Sequence, residues 1–453
     1  MRAAIYESVR GDIRVQSIPA PACPPDGAVV AVKATGVCRS DWHAWQGHDP
    51  VPLPHVPGHE YAGVVSAVGP EVTRWSIGDR VTAPFVLGCG ACELCLAGDP
   101  QVCPDQSQPG FTDHGSFAEF VAVQAADFNL VALPSRIPFE SAAALGCRFG
   151  TAFRALTGHA KVQPGETVAI FGCGGVGLSA IMIAAAIGAH VIAVDLNPAA
   201  LERARQLGAR ETLLIEDPAD PPLVDGAHVT IDAFGSEATL RACIGSLRRR
   251  GRHVQVGLLF GADAQPRVPM DRVLAWELEV YGSHGIAARD YAELLSFVDA
   301  GSIELSGLVE RTITLDEAGD ALRKMSSGSG PGITVIDIGA AERLQQQGHG
   351  LLDGQHGARE RCRILQTGHQ RMKKTSHNVL IRLVLVSLSL SRHRYLGERT
   401  RIGYSGRAPA QLIDERHQCR AHVVQAREVG SLRSLIEADL GARPGDHRSR
   451  NVH

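Results

Sequence analysis

Apolar positions in the first 125 residues come in short, β-branched runs punctuated by glycine and proline. Residues 3–6 and 13–17 read as a hairpin, 28–34 as a continuous apolar strand, and 61–68 as another; 78–82 begins one more and 115–123 returns to strand. Pro21, Pro24, Pro25, Asp26 and Gly27 supply turns between them. Many short strands so punctuated predict a small β-barrel-like domain. The period then lengthens, and residues 138–147 and 151–156 read as helix. From Gly165 buried strands alternate with helices. Strands are expected at 167–171, 190–194, 211–215, 229–234, 253–257 and 279–282, helices at 178–187, 198–207 and 237–247. That rhythm predicts an α/β fold with a doubly wound parallel sheet. Residues 291–300 and 315–325 read as helices, the second amphipathic, and 333–338 as a closing strand. The expected division is 1–150, 151–285, a return to the first domain over 286–340, and a tail over 341–453.

The densest chemistry lies between two of the early strands. Cys38-Arg39-Ser40-Asp41-Trp42-His43 precedes Gly58-His59-Glu60, and Pro50, Pro52, Pro54 and Pro57 between them forbid one continuous helix. The chain must loop there, so Cys38 and His59 can converge. Thiolate plus imidazole is a natural zinc pair, and a catalytic zinc takes three protein ligands and keeps one position open. Cys147 is the third candidate. Alone it reads as a small buried hydrophobe; beside Cys38 and His59 it reads as a ligand. Cys89, Cys92, Cys95 and Cys103 follow a C-x2-C-x2-C-x7-C spacing that suits a closed, structural zinc site. A redox C-x-x-C would sit where a strand feeds a helix in a thioredoxin-like unit, a pattern not found around these residues.

Gly172-Cys173-Gly174-Gly175-Val176-Gly177 fits G-x-G-x-x-G between a predicted strand and a predicted helix. Gly172 permits the tight turn, Gly174 lets backbone approach a pyrophosphate, and Gly177 lets helix pack on strand. The helix N-terminus then faces phosphate, with Gly175 and Val176 as further cofactor-binding candidates in the turn that leads into it. Asp195 lies 18 residues after Gly177 at the end of the next strand, suited to an adenosine ribose 2′-hydroxyl. A carboxylate there repels a 2′-phosphate, so NAD is expected over NADP. The competing role for Asp195 is a helix cap before Pro198.

Composition adds limits. With 44% hydrophobic and 21% charged residues the chain is ordinary for a globular protein, while 49 glycines and 5% aromatics suit an α/β enzyme with tight turns. The N-terminus lacks the apolar core of a signal peptide, and the apolar run at 381–390 is about half the roughly 20 residues a membrane span needs. A soluble, cytoplasmic protein without a membrane partner is expected. Eleven cysteines in such a chain suggest metal or redox chemistry over disulfides. The net charge of −3 conceals a split: residues 341–453 hold 20 basic against 10 acidic side chains, and residues 1–340 hold 25 against 38. One fold seldom divides so, and the tail, rich in Arg, His, Gln and Gly with little periodicity, reads as disordered. The acidic main body argues against a nucleic-acid partner.

These motifs, in this order, make residues 1–340 resemble the zinc-dependent alcohol dehydrogenases of the medium-chain dehydrogenase/reductase family. Those enzymes are themselves the known case of a Cys2His catalytic zinc, so that ligand set is not independent of the resemblance. The resemblance implies a GroES-like β-barrel catalytic domain and a Rossmann NAD-binding domain. It implies that Cys38, His59 and Cys147 bind catalytic zinc, that Glu60 stands behind the metal and can visit it, and that Asp41 supports a zinc-bound imidazole. It also implies that Ser40 and His43 carry a proton, by way of a cofactor ribose, and that Arg39 contacts cofactor phosphate. Hydride transfer between a small alcohol and NAD, giving an aldehyde or ketone, is the implied reaction, in a homodimer or homotetramer. A polyol, threonine or formaldehyde dehydrogenase is the near alternative, and a non-catalytic nucleotide-binding relative the more distant one. Trp42 and Trp45 suit pocket lining and core packing equally, and His48, His55, His114 and His284 receive no role.

Overall fold

A computed structural model describes residues 1–339 except Ala300, Ser302, Ser329 and Pro331. The expectation of a disordered tail at 341–453 falls outside the described residues. Two short strands, β1 (Arg2–Ile5) and β2 (Arg14–Ser17), pair antiparallel as the apolar hairpin pattern predicts.

The first large sheet grows around β3 (Ala28–Val37), whose apolar run continues three residues beyond the expected end. β3 pairs antiparallel with β4 (Glu60–Val68) along its length and with β6 (Phe120–Val123) near its start. Beyond β4 lie β5 (Arg80–Thr82) and β7 (Val131–Ala132). The register opposes Gly36 to Glu60 and Thr35 to Tyr61. Cys38, just past the end of β3, and His59, just before β4, are therefore delivered to the same edge. Pairing of two strands, not loop length, brings them together.

The expected helical passage after residue 138 is present with a different internal geometry. Phe139–Ala143 and Gly150–Phe153 are α-helical, while Leu145–Phe149 and Arg154–His159 are widened π-turns. Such turns disrupt regular side-chain spacing and often occur at functional sites. Cys147 lies on the first of them.

The second sheet is parallel and six-stranded: β8 (Thr167–Phe171), β9 (His190–Asp195), β10 (Glu211–Leu214), β11 (Ala227–Asp232), β12 (Leu247–Gln255) and β13 (Glu279–Gly282). Its spatial order, β10-β9-β8-β11-β12-β13, reverses direction between β8 and β11, where doubly wound sheets bind ligands. The helix Gly175–Ile187 is apolar on every side because it is buried, with Leu178 to Ala184 inaccessible or nearly so. β12 starts six residues before the expected position. Leu247 is the expected end of the preceding helix, and Arg248-Arg249-Arg250-Gly251-Arg252 carries no strand expectation because charge masks the pattern. Those charges are partnered: Arg248 contacts His228 Nε2 at 2.9 Å, Arg250 donates to Glu277 at 2.6 Å, and Arg252 donates to the Ala160 carbonyl at 2.6 Å. A register shift opposite Ala227–Val229 and a positive φ at Arg250 mark the irregularity.

Described residues continue through the helix Tyr291–Asp299, then β14 (Val309–Thr314), a helical stretch centred on Ala318–Lys324 and β15 (Ile333–Asp337). β15 pairs parallel with β14 and antiparallel with β3, so the last described strand joins the first large sheet.

Gly177 sits where the nucleotide-type helix meets its strand. A Cβ there would lie 1.8 Å from the Gly172 carbonyl oxygen, whereas one at Gly174 would meet nothing within 4 Å. Gly177→Val is expected to lower the thermal unfolding midpoint by an overpacking cost of at least about 1–3 kcal/mol, while Gly174→Ala changes it little; circular dichroism melts of both variants check the contrast.

Candidate active site

The donor atoms of Cys38, His59 and Cys147 lie within 4.8 Å of one another, and all three side chains are buried. Tetrahedral zinc with Zn–S near ~2.3 Å needs donors at about this spacing. Asp41, fully shielded from water, holds the arrangement. Its Oδ2 accepts from the Cys38 amide at 2.9 Å, which starts the helix Arg39–Gln46. Its Oδ1 accepts from the Gly58 amide at 3.0 Å and stands 2.9 Å from His59 Nδ1. With Nδ1 donating to the carboxylate, Nε2 is the free nitrogen, and it is buried with no hydrogen-bond partner. A buried imidazole nitrogen left without a partner beside two thiols is what a metal ligand requires. The Cys147 thiol faces the Cys38 sulfur and holds Cys38 well below the ordinary thiol range; Arg148 and His59 add to this against the effect of burial. The thiolate is the metal-binding form. Phe85 and Val86 form one buried cluster with both cysteines, and Phe111 lies 5.1 Å from the His59 ring, so the surroundings of the three donors are apolar.

Glu60 is not among these ligands. Both of its oxygens are taken by Arg148: the Arg148 backbone amide and Nε donate to Oε1 at 2.9 and 3.0 Å, and Nη2 donates to Oε2. Three N–H donors on one carboxylate mark an ionised pair, and both side chains are buried. The expected role of Glu60 as an occasional ligand thus competes with a three-donor clamp. Arg148 was not singled out from the sequence. The available signal was a cation in an apolar, alanine-rich helical run, which must find a partner if buried.

Arg148 also touches the glycine turn. A Cβ at Gly175 would lie 2.5 Å from Arg148 Cδ, so the bare backbone of Gly175 is the space the arginine occupies. Gly172 holds φ +93°, and Gly174 precedes the helix Gly175–Ile187 with its Cα facing open space. Asp195 closes the turn from the neighbouring strand, accepting from the Cys173 amide at 2.6 Å through Oδ2 and from the Asn197 amide at 2.7 Å through Oδ1. Asn197, not Asp195, caps the helix Pro198–Gln206, which removes the competing role for Asp195.

Ser40 is half-buried with Oγ 3.9 Å from Cys38 Sγ, and His43 lies one helical turn farther along. Arg39 donates to the Met325 carbonyl at 2.7 Å and stacks over Trp42. Trp42 Nε1 donates to Ser326 Oγ at 3.0 Å, whereas Trp45 is a core residue donating to the Gly11 carbonyl at 2.9 Å. His55 faces the Gly110 carbonyl, and His284 packs edge-on against Phe85. Separately, the sulfurs of Cys89, Cys92, Cys95 and Cys103 lie within 4.8 Å of one another. The Cys92 and Cys95 amides point at Cys89 and Cys92 sulfurs, each at 3.4 Å, and backbone amides of Ala91 and Cys92 lower Cys89 to about 7. Four convergent sulfurs met by amides fit a closed metal site.

Residues 24–135 match the family described as the alcohol dehydrogenase GroES-like domain, and residues 175–300 match the family described as zinc-binding dehydrogenase. An alcohol dehydrogenase of Geobacillus stearothermophilus is 34% identical over 349 residues, covering 75% of this chain and all of its own. A sorbitol dehydrogenase of Bacillus subtilis is 32% identical over 72% of this chain and 93% of its own. The solved structure of the alcohol dehydrogenase TADH from Thermus sp. ATN1 superposes with a TM-score of 0.68 at 28% identity, covering 75% of this chain and 100% of that one.

Replacing Arg148 by Met should leave the Glu60 carboxylate buried without its counter-charge, at a cost on the order of 3–5 kcal/mol. Glu60→Gln combined with Arg148→Met should recover part of that loss. Urea unfolding of the single and double variants measures both.

Proposed function

Since the chain belongs to the zinc-dependent alcohol dehydrogenases of the medium-chain dehydrogenase/reductase family, we propose that it oxidises small primary or secondary alcohols to aldehydes or ketones with NAD, and runs the reverse reduction. The adjacent pair Cys147-Arg148 carries this reading: one residue belongs to the three-donor cluster and the next abuts Gly175 of the dinucleotide turn. Metal chemistry and nucleotide binding would thereby be tied to one turn. Zinc and NAD are the cofactors of the reaction; when bound, zinc supplies a Lewis acid that eases deprotonation of the alcohol, and the nicotinamide supplies the hydride acceptor.

The chain's own residues do the rest. Cys38, His59 and Cys147 would hold the ion, with two thiolates offsetting its formal charge. Asp41 fixes the His59 tautomer through Nδ1. Arg148 neutralises Glu60, so no net charge is added behind the metal. Phe85, Val86 and Phe111 exclude water from the reacting side. Ser40, beside Cys38 Sγ, is placed to receive the proton that alcohol oxidation releases, and His43 to carry it outward; general acid–base help of this kind contributes on the order of 10²–10⁴ in rate. Gly172, Gly174, Gly175, Val176 and Gly177 would cradle the pyrophosphate, Asp195 the adenosine ribose. Cys89, Cys92, Cys95 and Cys103 would hold a second, structural zinc.

Likeness to a sorbitol dehydrogenase supports a polyol as the alternative substrate class. A homo-oligomer belongs to the same reading, as does a cytoplasmic location: among the described residues β13 is the last strand of its sheet, and the exposed Met270, Leu274 and Val280 on and before it would suit a subunit contact.

Metal analysis is expected to find about two zinc ions per chain, and a panel of alcohols and polyols assayed with both dinucleotides should show turnover with NAD. A metal-free protein without dehydrogenase activity would overturn the reading. Asp195→Ala should shift the binding ratio of NADH to NADPH by about tenfold or more toward NADPH, measured by fluorescence titration.

A further inference from the structure

The helix Arg39–Gln46 ends in a way that builds a second imidazole onto His43. Gly47 takes φ +80°, a left-handed conformation that turns the chain back on the helix. The Gly47 amide donates to the Ala44 carbonyl and the His48 amide to the His43 carbonyl, each at 3.0 Å. The His48 ring consequently lies against the His43 ring, Nδ1 to Nδ1 at 3.0 Å. At that separation one Nδ1 carries a proton and the other offers its lone pair. Two aromatic side chains clamp the pair. Trp42 stands edge-on to both rings, at 5.0 and 5.6 Å between centroids, and Phe260, beyond the end of β12, lies 4.4 Å from His43 and 6.1 Å from His48.

The two rings differ in exposure. His43 is half-buried and His48 is exposed. Burial, with help from His48 and Arg39 and against the pull of Cys38, lowers His43 to about 4. His43 therefore does not retain a proton at neutral pH; a proton reaching it must move on. Phe260 and Trp42 bring no charge to the pair; among the described residues the titratable groups acting on His43 are His48, Arg39 and Cys38, and Asp49 follows His48 with its amide 3.4 Å from the His43 carbonyl.

We propose that His48 is the outer member of the proton path, taking from His43 the proton released by alcohol oxidation and passing it to water. The inference rests on the reading of Ser40 and His43 as relay residues above. As the other nitrogen, His43 Nε2, gains a proton, the Nδ1–H bond of His43 breaks and an N–H bond forms at His48 Nδ1. The Nε2–H bond of His48 then breaks and its proton leaves to solvent. One proton enters and one departs, with no change in oxidation state. Exchange with water returns each ring to its starting tautomer, since both have access to it.

The test is proton release in a single turnover of zinc- and NAD-loaded enzyme in weak buffer, followed by a pH indicator, with NADH binding measured alongside. His48→Gln is expected to slow release on the order of ten- to hundredfold, to leave NADH affinity unchanged, and to be rescued by added imidazole. Release at the wild-type rate would overturn the proposal, as would slowed release that imidazole does not restore, since that points to packing alone. His43→Gln separates the two levels of inference. If His48→Gln and His43→Gln both release protons at the wild-type rate, the relay itself fails. If wild-type enzyme oxidises no alcohol with NAD, the functional reading fails before His48 is reached.

Discussion

A single carboxylate, that of Asp41, receives N–H groups from Cys38, Gly58 and His59. Those donors come from two segments that meet only because β3 and β4 pair. A carboxylate so deeply shielded from water would be costly without such donors. Once satisfied, it makes the start of a helix, the turn before β4 and the orientation of an imidazole into one unit. Any shift of Asp41 would move Cys38 and His59 together and rotate His59 Nε2 away from the thiols.

A comparable economy appears at Cys147-Arg148. A widened helical turn sends the thiol toward Cys38 and the guanidinium toward Glu60, with its stem on Gly175. The metal-type cluster and the glycine turn are thus neighbours through one pair of residues. With zinc bound, two thiolates would face a dication, and Glu60 faces Arg148, so buried charge would be matched on both sides of the site. Charge balance of this kind matters because uncompensated ions in a low-dielectric interior cost several kcal/mol each.

The route proposed for protons has a different character. It would run along the helix from Ser40, next to the Cys38 sulfur, through His43 to the surface end, where a glycine cap folds His48 back. The aromatic clamp on the two imidazoles comes partly from that helix and partly from Phe260, in the segment that follows the parallel sheet.

Periodicity and spacing alone were enough to read much of this chain. Alternation of apolar strands and helices predicted the doubly wound sheet, the four-cysteine spacing predicted a convergent sulfur cluster, and G-x-G-x-x-G predicted the strand–turn–helix at 172–177; that Asp195 braces this turn through the Cys173 amide came only with the structure. These are local patterns, written by backbone geometry over a few tens of residues. What the sequence left open depends on partners distant in the chain. The start of β12 was hidden because its arginines are paired with Glu166, His228 and Glu277, none of which is a neighbour in sequence. Arg148 gained a meaning only when Glu60, 88 residues away, met it in the interior, and that same meeting fills both oxygens of a residue expected to approach the metal. His48 became a partner of His43 only through a left-handed cap and a phenylalanine more than 200 residues on. A one-dimensional pattern encodes which faces are buried; it does not encode which buried charge finds which counter-charge, because that is set by three-dimensional packing.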